Sequence, residues 1–309
     1  MEIRQLRYFV RIVDLGSLSK AAADLYVAQP ALSKQIASLE TELKVSLLVR
    51  SPRGVAPTEA GLAFYRQAQS LLRQLSRVPD EVRSADASPG GVVAVGMPYS
   101  ASNILAPALV AAVRERLPGI RLAITEEGSG YLEGLLAGGR LDLSLLYERD
   151  RPSPQIEERP LLVEELFLVT KSGGKGDVAL ADTAKLRFIL PGPANSTRQV
   201  VEKAFAKAGL KLELAAEVDG PWTTKAMVAE GLGATILSRS ALYPEKGPGK
   251  LAVRRIVRPG LKRATNLCLR RGETLARAPA VVADVLGAVA AMLIQKGAWR
   301  GAALTASKA

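Results

Sequence analysis

Gln29, Ser33 and Lys34 stand on one face of a short helix whose other face is the apolar stripe Leu32, Ile36, Leu39 and Leu43. Small side chains, hydrogen-bond donors, one cation and no carboxylate are what a helix lying in the major groove of DNA needs. Pro30 suits the first turn, where its missing N–H costs nothing. Upstream, Ser19 is expected to cap a helix carrying Ala21, Ala22 and Ala23, whose size lets two helices approach closely. Val27-Ala28-Gln29 makes the turn between them. Downstream, Leu47–Arg50 and Val55–Ala56 flank Ser51-Pro52-Arg53-Gly54, which favours a type I turn and hence a small two-stranded wing. Arg50 and Arg53 sit near its tip, placed to touch phosphate. The candidate DNA contacts are Ser19, Gln29, Pro30, Ser33, Lys34, Arg50 and Arg53. A helical hairpin with an ordinary solvated face is the plainer alternative for this stretch.

A second set of polar residues lies where strands end or helices begin. Tyr99-Ser100-Ala101-Ser102, Gly128-Ser129-Gly130, Asn195-Ser196-Thr197-Arg198 and Asp219-Gly220-Pro221-Trp222-Thr223 are four such ends. Free N–H groups at helix starts favour carboxylate or phosphate, and Arg198 could grip a carboxylate with two bonds. A single Ser or Thr at such a place reads equally well as a cap, but four converging ends point to a pocket. The expected occupant is a small organic anion, with Ser100, Ala101, Ser102, Ser129, Gly130, Asn195, Thr197, Arg198, Asp219 and Trp222 around it. Gly128-Ser129-Gly130 lacks the third glycine of a dinucleotide fingerprint.

Composition narrows the chemistry. The 309 residues include no histidine, which removes histidine acid–base catalysis and nearly every catalytic zinc site. One cysteine, Cys268, excludes an internal disulfide, and its apolar surroundings read as a buried strand holding a core thiol. Neither a metal nor another cofactor is expected. The net charge of +12 favours an anionic partner. It is not concentrated at the N-terminus, since residues 1–58 carry 8 Lys/Arg against 5 Asp/Glu. The DNA reading therefore rests on pattern rather than total charge. No uncharged apolar run reaches the roughly 18 residues of a membrane span, and Met1-Glu2-Ile3-Arg4 leads into a charged amphipathic helix rather than a signal peptide. A cytoplasmic location without membrane association is the expectation.

These groups need elements to hold them. Residues 2–15 read as a first helix with Ile3, Leu6, Phe9, Val10 and Val13 inward. Thr58 should cap a long helix on which Leu62, Tyr65, Gln69, Leu72 and Leu75 recur near heptad spacing, a candidate dimerisation seam that Pro79 should kink or end. Ser84–Gly91 reads as a hinge. Beyond it strands and helices alternate. Ser102 is expected to cap helix 103–116 and Ser129 helix 130–137; the chain should leave one lobe near residue 161 and return near 264. A last amphipathic helix covers 279–296, and 297–309 should fray.

The residues A-A-A-D-L, Q-P-A-L-S-K-Q-I-A-S-L-E, L-L-V-R and G-V-A-P-T-E-A-G, in this order within residues 1–62, resemble the winged helix-turn-helix of LysR-type transcriptional regulators. Val95-Gly96-Met97-Pro98, Glu115-Arg116-Leu117-Pro118-Gly119, Gly139-Arg140-Leu141-Asp142 and Gly231-Leu232-Gly233-Ala234-Thr235-Ile236-Leu237 resemble that family's effector-binding region, in the style of members linked to nitrogen-assimilation control. Val49 and Pro57 depart from the usual pattern, and no His stands near position 196, where many relatives carry one. The resemblance implies a fold: an N-terminal all-α winged helix-turn-helix with a long linker helix, then a two-lobed α/β region like that of periplasmic solute-binding proteins. The expected domains are 1–58 for DNA binding, 59–90 for linker helix and hinge, and 91–309 for the effector, with lobe 1 at 91–161 and 264–302 and lobe 2 at 162–263. The implied function is transcription regulation: a homodimer or homotetramer on pseudo-palindromic double-stranded DNA, controlled by a small-molecule effector, with RNA polymerase as a further partner. A cytosolic solute-binding protein or an enzyme of the two-lobed fold is the alternative. The winged domain and the lack of a signal peptide weigh against the first, and the absence of histidine and of a paired nucleophile and base against the second.

Overall fold

The computed structural model describes residues 1–52, 54–83, 89–149, 153–173, 176–243, 251–272 and 275–305. Two of the expectations above, Arg53 at the wing tip and the hinge over 84–88, lie outside the described residues, as do 306–309 of the C-terminal end. The chain divides into two compact units, Met1–Ala87 with Ala137–Arg140, and Ser88–Leu136 with Leu141–Ala309.

The first unit begins with α1 (Ile3–Leu15), whose start is closed by Gln5, its side chain accepting from the Glu2 N–H at 2.8 Å. Leu6, Phe9 and Ile12 are its buried face, while Ile3 is exposed. The next helix, α2 (Leu18–Asp24), is capped by Ser17, which accepts from the Lys20 N–H, and not by Ser19. The expectation fell two residues late because both serines have the right chemistry and only Ser17 has extended backbone. In α3 (Gln29–Leu43), Leu32, Ile36 and Leu39 pack on Phe9, Ile12, Ala21 and Ala22 in one core. The wing is β1 (Leu48–Ser51) paired antiparallel with β2 (Gly54–Pro57). Gly54 has φ of 126°, and a Cβ there would meet the Gly16 carbonyl at 2.6 Å, so only glycine lets the wing seat on the turn between α1 and α2.

Thr58 does cap α4 (Glu59–Arg83), accepting from the Gly61 N–H at 2.9 Å. Pro79 lies inside this helix and does not end it. The proline removes one i→i−4 bond, to the carbonyl of Leu75, and Leu75 is exposed, so water can satisfy the freed oxygen. The predicted heptad seam is not one line. Phe64 stacks edge-on against Phe9 at 5.0 Å and Tyr65 bonds Asp14, both docking α4 on the helix-turn-helix. Leu71, Leu75 and Val78, spaced i, i+4, i+7, form the exposed stripe.

The second unit is a two-lobed α/β structure threaded by two long strands. The first lobe holds β3 (Gly91–Met97), α5 (Tyr99–Arg116), β4 (Ile120–Glu126), α6 (Ser129–Ala137) and β5 (Leu143–Tyr147). Then β6 (Ile156–Thr170) runs on into the second lobe, made of β7 (Val178–Ala179), α7 (Leu180–Thr183), β8 (Arg187–Leu190), α8 (Ser196–Lys207), β9 (Glu213–Glu217), α9 (Pro221–Glu230), β10 (Thr235–Ser238) and β11 (Ala252–Val257). β12 (Leu261–Arg270) returns antiparallel to β6, and α10 (Arg277–Gln295) and β13 (Ala302–Leu304) complete the first lobe. The strand order β4-β3-β5-β12-β6-β11-β7 makes β12 and β6 the shared spine. Each lobe has its own apolar core, one between α5, α10 and β3, the other between β8, α8 and β6.

Three local expectations change here. Ser102 lies inside α5, which starts at Tyr99, and is buried rather than capping. Ser129 does not cap α6; its Oγ accepts from the Tyr147 N–H at 3.2 Å and ties the helix start to the end of β5. The C-terminal segment is not frayed where it is described. Trp299 is 1% exposed, and Ala302–Leu304 pair with Leu162–Glu164. α10 is also long and apolar enough by composition to cross a membrane, but Val282, Leu286, Val289 and Ala290 bury its inner face in the first lobe, which makes it a core helix.

The C-terminal anchor yields a stability prediction. Trp299 fills the first core and donates its Nε1–H to Glu164 at 2.9 Å. Trp299→Ala should lower unfolding free energy by about 3–5 kcal/mol, read from urea denaturation followed by circular dichroism. A loss below about 1 kcal/mol would mean that the segment is not part of the core.

Candidate functional site

In the first unit, α3 presents Gln29, Pro30 and Lys34 to solvent while Ser33 is half-buried. Ser19 donates to the Gln29 side-chain oxygen at 3.1 Å, which fixes the Gln29 amide at the start of α3. Arg50 reaches back from β1 to donate to Ser33 Oγ at 3.1 Å. Four predicted contacts are thus linked in two pairs, one at the entry of α3 and one between α3 and the wing. Glu40, the carboxylate nearest on α3, turns inward and accepts from the Leu47 and Leu48 N–H groups at 2.7 and 3.1 Å, so it anchors the wing and offers no charge to phosphate.

Between the two lobes of the second unit lies a cleft of about 730 Å³. Ser100, Ser129, Gly130, Asn195, Thr197, Asp219 and Trp222 line it, so seven of the ten expected contacts converge. Asn195 caps α8, accepting from the Thr197 N–H at 2.9 Å. Asp219 accepts from the Gly192 N–H at 3.0 Å. Ala101 is fully buried, and Ser102 donates to Glu126 at 2.7 Å; neither lines the cleft.

Arg198 is the principal correction. Its Nε donates to Glu202 at 2.6 Å and its Nη1 to the Pro191 carbonyl and Glu217, both at 3.1 Å. Two carboxylates, one at i+4 on its own helix and one on β9, draw the guanidinium away from the cleft. It fastens the start of α8 to β8 and β9.

A cation that does line the cleft is Arg263, on β12. It stands directly opposite Glu164 of β6, and the pair meets at 2.9 Å with both side chains almost fully buried. From there the guanidinium spans the cleft. Its Nη1 donates to Thr197 Oγ1 at 2.6 Å in the second lobe, and its Nη2 reaches Ser100 Oγ at 3.4 Å in the first. The Tyr147 ring packs 3.4 Å from it, and the Tyr147 hydroxyl shares a 2.5 Å bond with Ser100. Burial pushes the Tyr147 pKa up to about 12, so the hydroxyl stays protonated. Glu164 is held from its other side by Ser240 at 2.5 Å and Trp299 at 2.9 Å. A sequence signal for this network existed. Leu261, Arg263 and Thr265 alternate inward on β12, as Leu162, Glu164 and Leu166 do on β6, so opposite charges stood on the buried faces of two strands.

Arg149 also lines the cleft, paired with Glu133. Cys268 is buried, and burial raises its thiol pKa to about 12. No group of three or more His, Cys, Asp or Glu side chains able to hold a metal exists among the described residues.

A winged helix-turn-helix joined to a two-lobed ligand-binding fold defines a ligand-responsive transcription regulator, and sequence and structure comparisons say which family. Residues 3–62 match the profile of the bacterial regulatory helix-turn-helix proteins of the lysR family, and residues 86–291 match the LysR substrate binding domain. The nitrogen assimilation regulatory protein nac of Klebsiella aerogenes is 36% identical over 288 residues, covering 93% of this chain and 94% of that protein. The nac protein of Escherichia coli K12 is 33% identical over 303 residues, covering 97% and 99%. Among solved structures, CbnR, a LysR family transcriptional regulator, superposes with a TM-score of 0.70 at 25% identity, covering 94% of this chain and 99% of that one. A hydrogen-peroxide-bound OxyR from Corynebacterium glutamicum does so with a TM-score of 0.61 at 26% identity, covering 96% of each. The chain belongs to the LysR family of transcriptional regulators. Members of this family bind DNA and small-molecule effectors, form oligomers, and are regulators rather than enzymes.

The Arg263–Glu164 pair gives a second prediction. Arg263→Met leaves a buried carboxylate without its counter-charge and should cost about 3–5 kcal/mol. Adding Glu164→Gln removes the stranded charge and should restore most of that loss. Chemical denaturation of wild type, both single variants and the double variant gives the coupling directly. Additive single effects would show that the two side chains do not interact.

Proposed function

We propose that this chain regulates transcription from the cytoplasm by reading DNA through α3 and its wing, with an effector in the cleft between the lobes setting its conformation. Gln29, Ser33 and Lys34 read base edges in this proposal, while Arg50 and Arg53 contact phosphate. What supports it is the geometry around α3: a first turn without a carboxylate, with Arg50 from the wing held against Ser33. The exposed Leu71, Leu75 and Val78 stripe on α4 pairs two chains, because a solitary helix has nothing of its own to cover it. The domain boundaries proposed are 1–58, 59–90 and 91–309.

The effector's acid group is proposed to sit at the start of α8 beside Arg263, Thr197 and Ser100, taking the place first given to Arg198. A ligand there touches both lobes at once, so it binds open and closed forms unequally, and that inequality is what can shift a conformational equilibrium. Arg198 is a structural residue in this reading. A thiol-based peroxide sensor is the second reading, suggested by the likeness to OxyR. It is disfavoured because Cys268 is buried and held as the unreactive thiol.

Footprinting tests the DNA assignment. Gln29→Ala, Ser33→Ala and Lys34→Ala should each weaken specific binding by about 1–3 kcal/mol where the side chain meets a base edge. Arg50→Ala should weaken all sequences alike and reduce the slope of log affinity against log salt by about one. Unchanged footprints for the combined Gln29, Ser33 and Lys34 variant would sink it. For the pairing helix, Leu71→Glu with Leu75→Glu should yield a smaller particle by sedimentation; an unaltered size would place the chain–chain contact elsewhere.

A further inference from the structure

The cleft's charges are not those of a site built for a simple anion. Its two lining cations are already paired, Arg263 with Glu164 and Arg149 with Glu133. Three carboxylates line it as well, and among the described residues each has only neutral donors in hydrogen-bonding reach: Ser102 on Glu126, Tyr99 on Glu127 and the Gly192 N–H on Asp219. Lys225 is buried under Trp222, bonded to the Ala241 carbonyl, and does not line the cleft. An incoming anion with no positive group of its own would therefore meet an excess of negative charge.

The charges are also sorted by depth. At the floor, Arg263 and Thr235 are buried, and Arg263 Nε and Thr235 Oγ1 have no hydrogen-bond partner. Arg149 adds two further unpartnered nitrogens, Nε and Nη2. Buried polar atoms left unpaired cost free energy, which favours an occupant that brings them an acceptor. They are donors for a carboxylate. At the mouth, Glu126 and Asp219 are exposed, and beside them is the exposed ring of Tyr99, whose face attracts a cation; one face of the Trp222 ring already holds Lys225. The acidic residues are too dispersed for a metal, since no metal-holding group of carboxylates is found among the described residues.

We infer that the occupant of this cleft is a zwitterion, its carboxylate held at the floor by Arg263, Thr197 and Arg149 and its ammonium at the mouth by Glu126, Glu127 and Asp219: an α-amino acid or a short relative of one. The inference rests on the cleft being the effector site, as proposed above. It adds a requirement for a positive group, which the helix-start argument alone did not contain.

The test uses the full-length protein and sets of three matched probes: each common amino acid, the same molecule without its amino group, and the same molecule without its carboxylate. Melting-temperature shifts select the amino acid that stabilises most, and calorimetry then measures all three members of its set. The expected result is binding of the amino acid at least about tenfold tighter than either truncated partner, as fits a charge-assisted bond at each end. Glu127→Gln and Asp219→Asn, which keep their hydrogen bonds and lose only charge, should each weaken the amino acid and leave its deaminated partner unchanged or tighter. If the deaminated acid binds as well as the amino acid, and Thr197→Ala weakens both, the cleft is the effector site but its ligand is a plain anion, and the inference is overturned alone. If no probe of any set binds, the inference and the effector-site assignment both fall.

Discussion

One buried ion pair organises the second unit. Arg263 and Glu164 face each other across β12 and β6, the two strands that thread both lobes. Burying a full charge without a partner is costly, so each residue constrains where the other can be. The constraint propagates outward from Glu164 to Trp299 and Ser240, and from Arg263 to Thr197 and Ser100. The C-terminal segment, the spine and the facing walls of the cleft are thereby joined through two side chains. A ligand that competes for Arg263 acts on a group already bonded to both lobes, which is how a small molecule can alter a much larger structure.

The same reasoning separates position from role among the serines and arginines. Ser17, Ser19, Ser102 and Ser129 all have capping chemistry, but one caps, one orients Gln29, one bonds Glu126 and one ties a helix to β5. Arg198 and Arg263 have the same head group and opposite assignments. Local competition decides: Glu202 and Glu217 claim the first, whereas Glu164 holds the second where it reaches Thr197 and Ser100 on the two walls of the cleft.

Much of this was legible in the sequence. The helix-turn-helix was, because its stripe Leu32, Ile36, Leu39 sits against a run of alanines and is followed at once by turn chemistry. The two-lobed order was, because strand and helix periods alternate. Seven cleft residues could be placed because ligands in open α/β sheets collect at strand ends and helix starts. What was not legible depends on contacts distant along the chain. The Arg263–Glu164 pair joins residues 99 positions apart; alternation puts each charge on the inward face of its strand, but nothing local says that these two strands pair. Trp299 belongs to the core because a last strand brings it there, whereas proximity to the terminus suggested fraying. Pro79 was read as kinking or ending its helix; it does not end it, because the one freed carbonyl, of exposed Leu75, is open to water.

The central claim is that occupancy of the cleft and binding of DNA are linked in one molecule. Linkage is reciprocal: if the ligand changes DNA affinity by some factor, DNA must change ligand affinity by the same factor. The most direct measurement is the affinity of the full-length protein for its footprinted site with and without the best-binding probe at saturation, set beside the affinity for that probe with and without the site DNA. Equal factors different from one in the two experiments are the predicted result. A factor of one in both, with the probe demonstrably bound, would contradict the account.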